Sequence, residues 1–222
     1  RGRVADQYES CESGGAAGVG YGRGRRSIGL SPTGQALCYN AGMTTRRIKE
    51  TVTLTNTELA AELAHLGIAF VESFNADRLS IPPERELFLA ALASSSEARL
   101  RMALIPLFLA RPEFIRSVPD VINILLKQAR ITLVCYYTAA MLLQKKYAQP
   151  LADLTINQEA MPDLFSRDLG LPQAGDADVL LKALGERHAI LSGRPINWYG
   201  TYEQAITRFI RRLQQEREWV AN

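Results

Sequence analysis

The chain predicts an all-α fold, an irregular bundle of about six to seven helices behind a disordered Gly/Arg-rich N-terminal segment. Three observations carry that expectation. Apolar residues recur at three- and four-residue steps from Leu59 almost to the C-terminus. Helix-start signals, Ser, Thr or Asp ahead of Glu, Gln or Pro, head most of these stretches. After Thr55 no run alternates as a half-buried strand does.

Element by element, residues 46 to 55 are Thr-rich and alternate weakly, which suits a short edge strand or an arm. A first helix is expected from Thr57 to Phe74, capped by Asn56 or Thr57, with Leu59, Leu63, Leu66, Phe70 and Phe74 as its buried stripe. A second begins after Ser80-Ile-Pro-Pro, since proline is tolerated where a helical N–H has no partner. A third opens on Ser94-Ser-Ser-Glu97, read as a capping box, and carries Pro106, which must kink it.

The fourth helix is expected from Ser117-Val-Pro-Asp120 to Ala148. Its second half, Ile131 to Leu143, is apolar nearly all round, which marks a central helix. That run falls short of the ~20 residues that span a bilayer, so it reads as buried in protein. A looser stretch from Pro150 to Gly175 holds a short helix near Asp163 to Asp168. Asp176 then caps a helix bearing Leu180, Leu184 and Leu191, and a loop from Gly193 to Gly200 leads to a last helix at Thr201. Tyr202, Ile206, Phe209, Leu213 and Val220 form its apolar stripe. Residues 43–222 therefore read as one helical domain, with a core bundle over about 57–148 and a C-terminal layer over about 160–220.

The first 42 residues differ in kind. They hold ten of the sixteen glycines and contain no Phe, Trp or Lys. Such a composition cannot bury enough apolar surface to order itself. Met43-Thr-Thr-Arg-Arg resembles a translation start, so residues 1–42 are read as a non-native upstream extension, in preference to an Arg/Gly tail that binds nucleic acid. Without that segment, which carries five Arg against three acids, the remainder is nearly neutral; this argues against a large nucleic-acid footprint.

Overall the chain is 47% apolar and 22% charged, ordinary for a globular protein. The three cysteines, Cys11, Cys38 and Cys135, show no paired spacing, which suits a reducing compartment and a cytoplasmic protein. No secretory leader is apparent, and no cofactor or metal is expected.

Among chemistry-bearing clusters, Glu58, Glu62, His65 and Glu72 share Glu-x-x-His spacing with di-iron bundles, but only one other histidine exists, and the set reads as a solvated acidic face. His188 falls on the leucine side of its helix, the place of a hydrogen-bonded boundary residue. Thr57 to Gly67 begins like a helix-turn-helix, yet Ile68 to Phe74 reads as a continuation of the same helix. What is left is a set of candidate partner-binding residues: Trp198 and Tyr199 in an aromatic loop, and Arg208, Arg211 and Arg212 on the last helix. Trp198 is an interface anchor if exposed and a pin for the last helix if buried.

The expected function is accordingly a helical protein-interaction or adaptor protein without a catalytic site, its partner another protein. Two alternatives stand beside it. One is nucleic-acid association through Arg46, Arg47 and the C-terminal arginines; the other is a small-ligand pocket or enzymatic site beside the Pro106 kink.

Overall fold

A computed structural model describes residues 54–68, 83–154 and 159–221, which all belong to the unit Lys49–Asn222. The expectations for residues 1–42, for the arm at 46–53, and for Arg46, Arg47 and Glu72 lie outside the described residues. The described residues are all-α and contain no strand.

Helix α1 spans Asn56–His65. Its cap is Thr55, one residue earlier than expected: the Thr55 hydroxyl accepts from the Glu58 N–H at 3.2 Å, and the Glu58 carboxylate accepts from the Thr55 N–H at 2.7 Å. The helix does not continue to Phe74. Gly67 adopts φ +79°, the Ile68 N–H bonds the Leu63 carbonyl at 2.7 Å and the Gly67 N–H bonds that of Ala64 at 3.0 Å, a Schellman stop. Ile68 is buried beside Leu63, the apolar contact that goes with this motif. The continuous helix used to set aside a helix-turn-helix is therefore absent, and residues 69–82, where a second helix would start, lie outside the described residues.

Next come α2 (Arg85–Ser94), α3 (Ala98–Met102), α4 (Leu104–Ala110), a 3-10 turn (Pro112–Ser117), α5 (Val118–Ile124), α6 (Lys127–Lys146) and α7 (Ala148–Leu154), followed by α8 (Ala177–Ser192) and α9 (Trp198–Ala221). These nine α-helical segments exceed the six to seven expected because two long helices are broken. Pro106 has no N–H for the Met102 carbonyl and its ring crowds that oxygen, so the break falls at Ala103, a turn ahead of the proline. Leu125 and Leu126 are extended (ψ 142° and 153°) and separate α5 from α6.

Two expected caps are also replaced. Ser117 does not cap α5; its hydroxyl donates to the Glu86 carboxylate at 2.6 Å. Glu97 stands at the N-cap of α3, its carboxylate taken by Asn56 Nδ2 at 2.9 Å and Arg99 Nε at 2.7 Å, so the Ser94–Glu97 box does not form. Near Asp163 the chain makes one turn ended by Gly170 (φ +69°) in place of a short helix.

Every residue from Cys135 to Leu143 is buried, which makes α6 the central helix the apolar run predicts. It packs against α2, α4, α5, α8 and α9. Among the described residues no helix is long and apolar enough to cross a membrane. Helix α8, capped by Asp176 through a 2.8 Å bond from the Val179 N–H, runs antiparallel to α6: Lys146 meets Asp178 near one end and Tyr136 meets His188 near the other. A single hydrophobic cluster extends from Leu59 on α1 to Phe209 on α9.

Candidate functional site

Helix α9 begins three residues before Thr201, because Asn197 supplies a cap that Thr201 does not. The Asn197 side-chain oxygen accepts from the Gly200 N–H at 3.0 Å and its carbonyl accepts from the Thr201 N–H at 3.1 Å. Trp198 and Tyr199 thus occupy the first helical turn rather than a loop, and both are turned into the protein. Trp198 is 6% exposed. Its ring stacks on His188 with centroids 3.7 Å apart and planes 21° from parallel, and meets Tyr136 edge-on. Of the two roles open to Trp198, the geometry is that of a pin holding α9 to α6 and α8.

Tyr199 pins the same turn by a different route. Its hydroxyl donates to Asp178 Oδ1 at 2.7 Å and accepts from the Lys146 ammonium at 3.2 Å. Lys146 also binds Asp178 and, at 2.9 Å, Glu203, while Tyr147 donates to Glu203 at 2.5 Å and Lys182 pairs with Asp178 at 2.7 Å. Burial works to lower the Lys146 pKa, but its hydrogen bonds to Asp178, Glu203 and Tyr199 outweigh that and raise it above the lysine range. The bond from Lys146, then those from Lys182 and Tyr199, hold Asp178 well below the carboxylate range. Burial and then the Glu203 carboxylate push the Tyr147 hydroxyl up to about 12. Every member is committed to a partner of opposite sign or to a hydroxyl. The cluster joins three helices, and a permanently charged, paired Lys146 is unsuited to nucleophilic chemistry, which needs the free amine.

Beneath Trp198 lies a buried polar pair. His188 is 1% exposed and its Nδ1 lies 2.6 Å from the Tyr202 hydroxyl. Burial, with the Arg101 charge acting in the same sense, lowers its pKa to about 4. The leucine-side placement read from the sequence is correct, but the residue is in the core and not at its boundary. At this burial the imidazole offers a substrate no approach. Cys135 is likewise fully buried, and desolvation pushes its thiol up to about 12, so it is an inert small hydrophobe near neutral pH.

The acidic set on α1 separates. Glu58 is the acid of the capping box with Thr55, His65 is exposed, and Glu62, expected on a solvated face, is buried at 9% exposure. It stands between the buried Ala61 and Leu63 on a short helix that packs against both α2 and α3, which leaves too little of its circumference wet to hold three charged groups. Among the described residues no group of His, Cys, Asp or Glu is arranged to hold a metal ion. Pro106 is buried in the first turn of α4 among Leu104, Ile105 and Leu107, each 0% exposed. An open groove of about 580 Å³ lies elsewhere, between α7 and α9, lined by Pro150, Asp153, Leu154, Gln214, Arg217 and Glu218.

The remaining candidates face solvent together. The buried side of α9 is Tyr202, Ile206 and Phe209 with Leu213 partly covered. Arg208, Arg211, Arg212, Gln215 and Trp219 recur at three- and four-residue steps on an adjoining side, about a third of a turn round the helix. Arg208 and Arg211 are exposed; Arg212 is partly covered and its Nε binds Glu216 at 2.6 Å. Trp219 is 77% exposed, although tryptophan is a residue that folding normally covers. From Arg208 to Trp219 the stripe runs roughly 17 Å along three turns. Trp219 was not among the residues singled out from sequence; its spacing of four, seven, eight and eleven from Gln215, Arg212, Arg211 and Arg208 was the available signal. Comparison with protein-family models, with curated proteins and with solved structures returns no match for this chain.

Proposed function

We propose that this chain is a protein-interaction module and that its docking surface is the outer face of α9. The observation that carries the reading is Trp219, 77% exposed and aligned with Arg208 and Arg211 on a face that contributes nothing to the core. Tryptophan and arginine are the residue types that most often dominate interface energetics, and an exposed pair of them on a rigid helix is pre-organised for it. Trp198 and Tyr199 then serve by fixing the angle at which α9 leaves the bundle, and the Lys146 cluster locks that angle.

The test is capture from native lysate on the full tagged chain, wild type against Trp219→Ala and against Arg208→Glu with Arg211→Glu. Retention of one protein, resistant to nuclease and lost in both variants at unchanged melting temperature, is the expected result. Retention indifferent to both variants, or no retained protein, refutes the docking surface. Nuclease-sensitive retention lost in the arginine variant moves the same face to nucleic acid, where Trp219 would stack on a base.

A further inference from the structure

We propose that the outer face of α9 takes an extended acidic segment of a partner protein, its carboxylates on Arg208 and Arg211 and a bulky apolar side chain on Trp219. This rests on the reading of that face as a docking surface and names the chemistry of its occupant.

Charge decides the occupant. Arg208 and Arg211 are exposed, and neither guanidinium has an ion pair or hydrogen bond among the described residues. The other two arginines of the helix are engaged: Arg212 pairs with Glu216, and Arg217 donates to the Asp153 carbonyl at 2.7 Å. At about 100° per residue, Gln204, Arg208, Arg211, Gln215 and Trp219 fall within roughly a quarter of a turn, and no acid stands among them. A strip with two uncompensated cations at one end and an exposed indole at the other complements carboxylates followed by an apolar group.

Geometry sets the form of the segment. Arg208 and Arg211 are three residues apart on a helix, so their Cβ atoms are separated by about 5–6 Å. Alternate side chains of an extended chain lie about 7 Å apart, so acids at alternate positions reach both guanidiniums. Trp219 lies roughly 17 Å along the helix from Arg208, a span that an extended chain covers in about five residues. The amides of Gln204 and Gln215 offer donors and acceptors to the main chain of such a segment. A phosphate backbone suits the face less well. Two cations neutralise few phosphates, and the chain beyond residue 42 is nearly neutral.

Fluorescence anisotropy of labelled peptides on the full chain, at about 50 mM salt, tests this. The probes are Glu-Ser-Glu-Ser-Thr-Ser-Leu and its reverse, forms with Gln or Lys in place of both acids, and a form with Ser in place of Leu. One acidic orientation is expected to bind with a dissociation constant of about 100 μM or tighter. Its affinity should fall at least about tenfold in the Gln form, in the Ser form, with Trp219→Ala, and with Arg208→Glu plus Arg211→Glu. The double arginine variant should take up the Lys form instead, because the reversed charges match again. An acidic probe bound no better than its Gln form, or bound alike by all variants, overturns the proposal. So does tighter, variant-sensitive binding of an oligothymidylate or of phosphatidylserine vesicles run beside the peptides, which assigns the face to nucleic acid or membrane. A lysate protein captured through Trp219 and the arginines, with no acidic probe bound, sinks the acidic segment alone and leaves the docking surface standing.

Discussion

Acid should loosen this fold through His188 ahead of the capping and ion-paired carboxylates Asp178, Glu58 and Glu97. His188 has an ordinary pKa of about 6.5 when the chain is unfolded. In the folded protein burial, reinforced by the Arg101 charge, brings it down to about 4. The folded state thus binds the proton less well than the unfolded state. Stability is fully present above pH 6.5 and is lost as pH falls from there toward 4. The whole shift corresponds to about 3 kcal/mol, of which about 2 kcal/mol is lost by pH 5. Against a total of 5–15 kcal/mol for an ordinary domain that is a large fraction.

The assay is urea unfolding at pH 8, 6.5 and 5, followed by far-UV circular dichroism. A midpoint falling by roughly 1 M between pH 8 and pH 5 is expected at ordinary urea sensitivity. His188→Gln separates the cause. Glutamine can still bond the Tyr202 hydroxyl but has no proton to gain, so this variant starts less stable, having lost the Trp198 stack, and shows a flat midpoint over the same range. Asp178, Glu58 and Glu97 are held below their ordinary values, so their contributions disappear only below about pH 4.5. A wild-type midpoint constant from pH 8 to 5, or an equal slope in His188→Gln, would refute the burial argument.

Three further perturbations probe the attachment of α9. Lys146→Met leaves Asp178 and Glu203 without their common cation; after allowance for a side chain 24% exposed, a loss of about 1–2 kcal/mol is expected by thermal melting, and a cycle with Glu203→Gln should be markedly non-additive. Gly185→Ala ordinarily stabilises a helix by about 1 kcal/mol, yet here the added Cβ would stand 2.9 Å from the Tyr199 backbone nitrogen, so a net loss of about 1–3 kcal/mol is expected and a gain would show that α8 and α9 do not approach so closely. Trp198→Ala should cost about 3–5 kcal/mol while Trp219→Ala changes stability by less than about 0.5 kcal/mol; equal effects by chemical denaturation would contradict the opposite burial of the two rings.

Much of the helical content was legible because periodicity reports burial directly. The central helix was evident from the uninterrupted apolar run to Leu143, and Asp176 was evident as a cap because its side chain satisfies a local N–H that no other group reaches. Breaks and ends were less legible, for a physical reason that recurs. Serine and glutamate near residues 94 to 97 make a good local capping pattern, but Asn56 and Arg99 compete for the same carboxylate and win by tertiary contact. Ser117 is diverted to Glu86 in the same manner. At Gly67 a stop signal is hard to see since Ile68 and Phe70 prolong the apolar period through it, whereas the left-handed Gly67 ends the helix and the Ile68 N–H bonds back to the Leu63 carbonyl.

The candidate site was hidden for a different reason. A helix has two faces, and a sequence states which residues share a face without stating which face is covered. Trp198 follows Asn197 and Trp219 follows Glu218 near the two ends of α9, so their surroundings in sequence do not tell them apart. What separates them is that the stripe through Tyr202, Ile206 and Phe209 is sealed by α4, α6 and α8, so that Trp198 at its start is drawn against His188 while Trp219, nearly three turns beyond Phe209, is 77% exposed. The pairing of Arg208 with Arg211 gains meaning only from that second fact. On a covered face the two arginines would need acids; on an uncovered face ending in tryptophan they stand, among the described residues, beside exposed apolar surface.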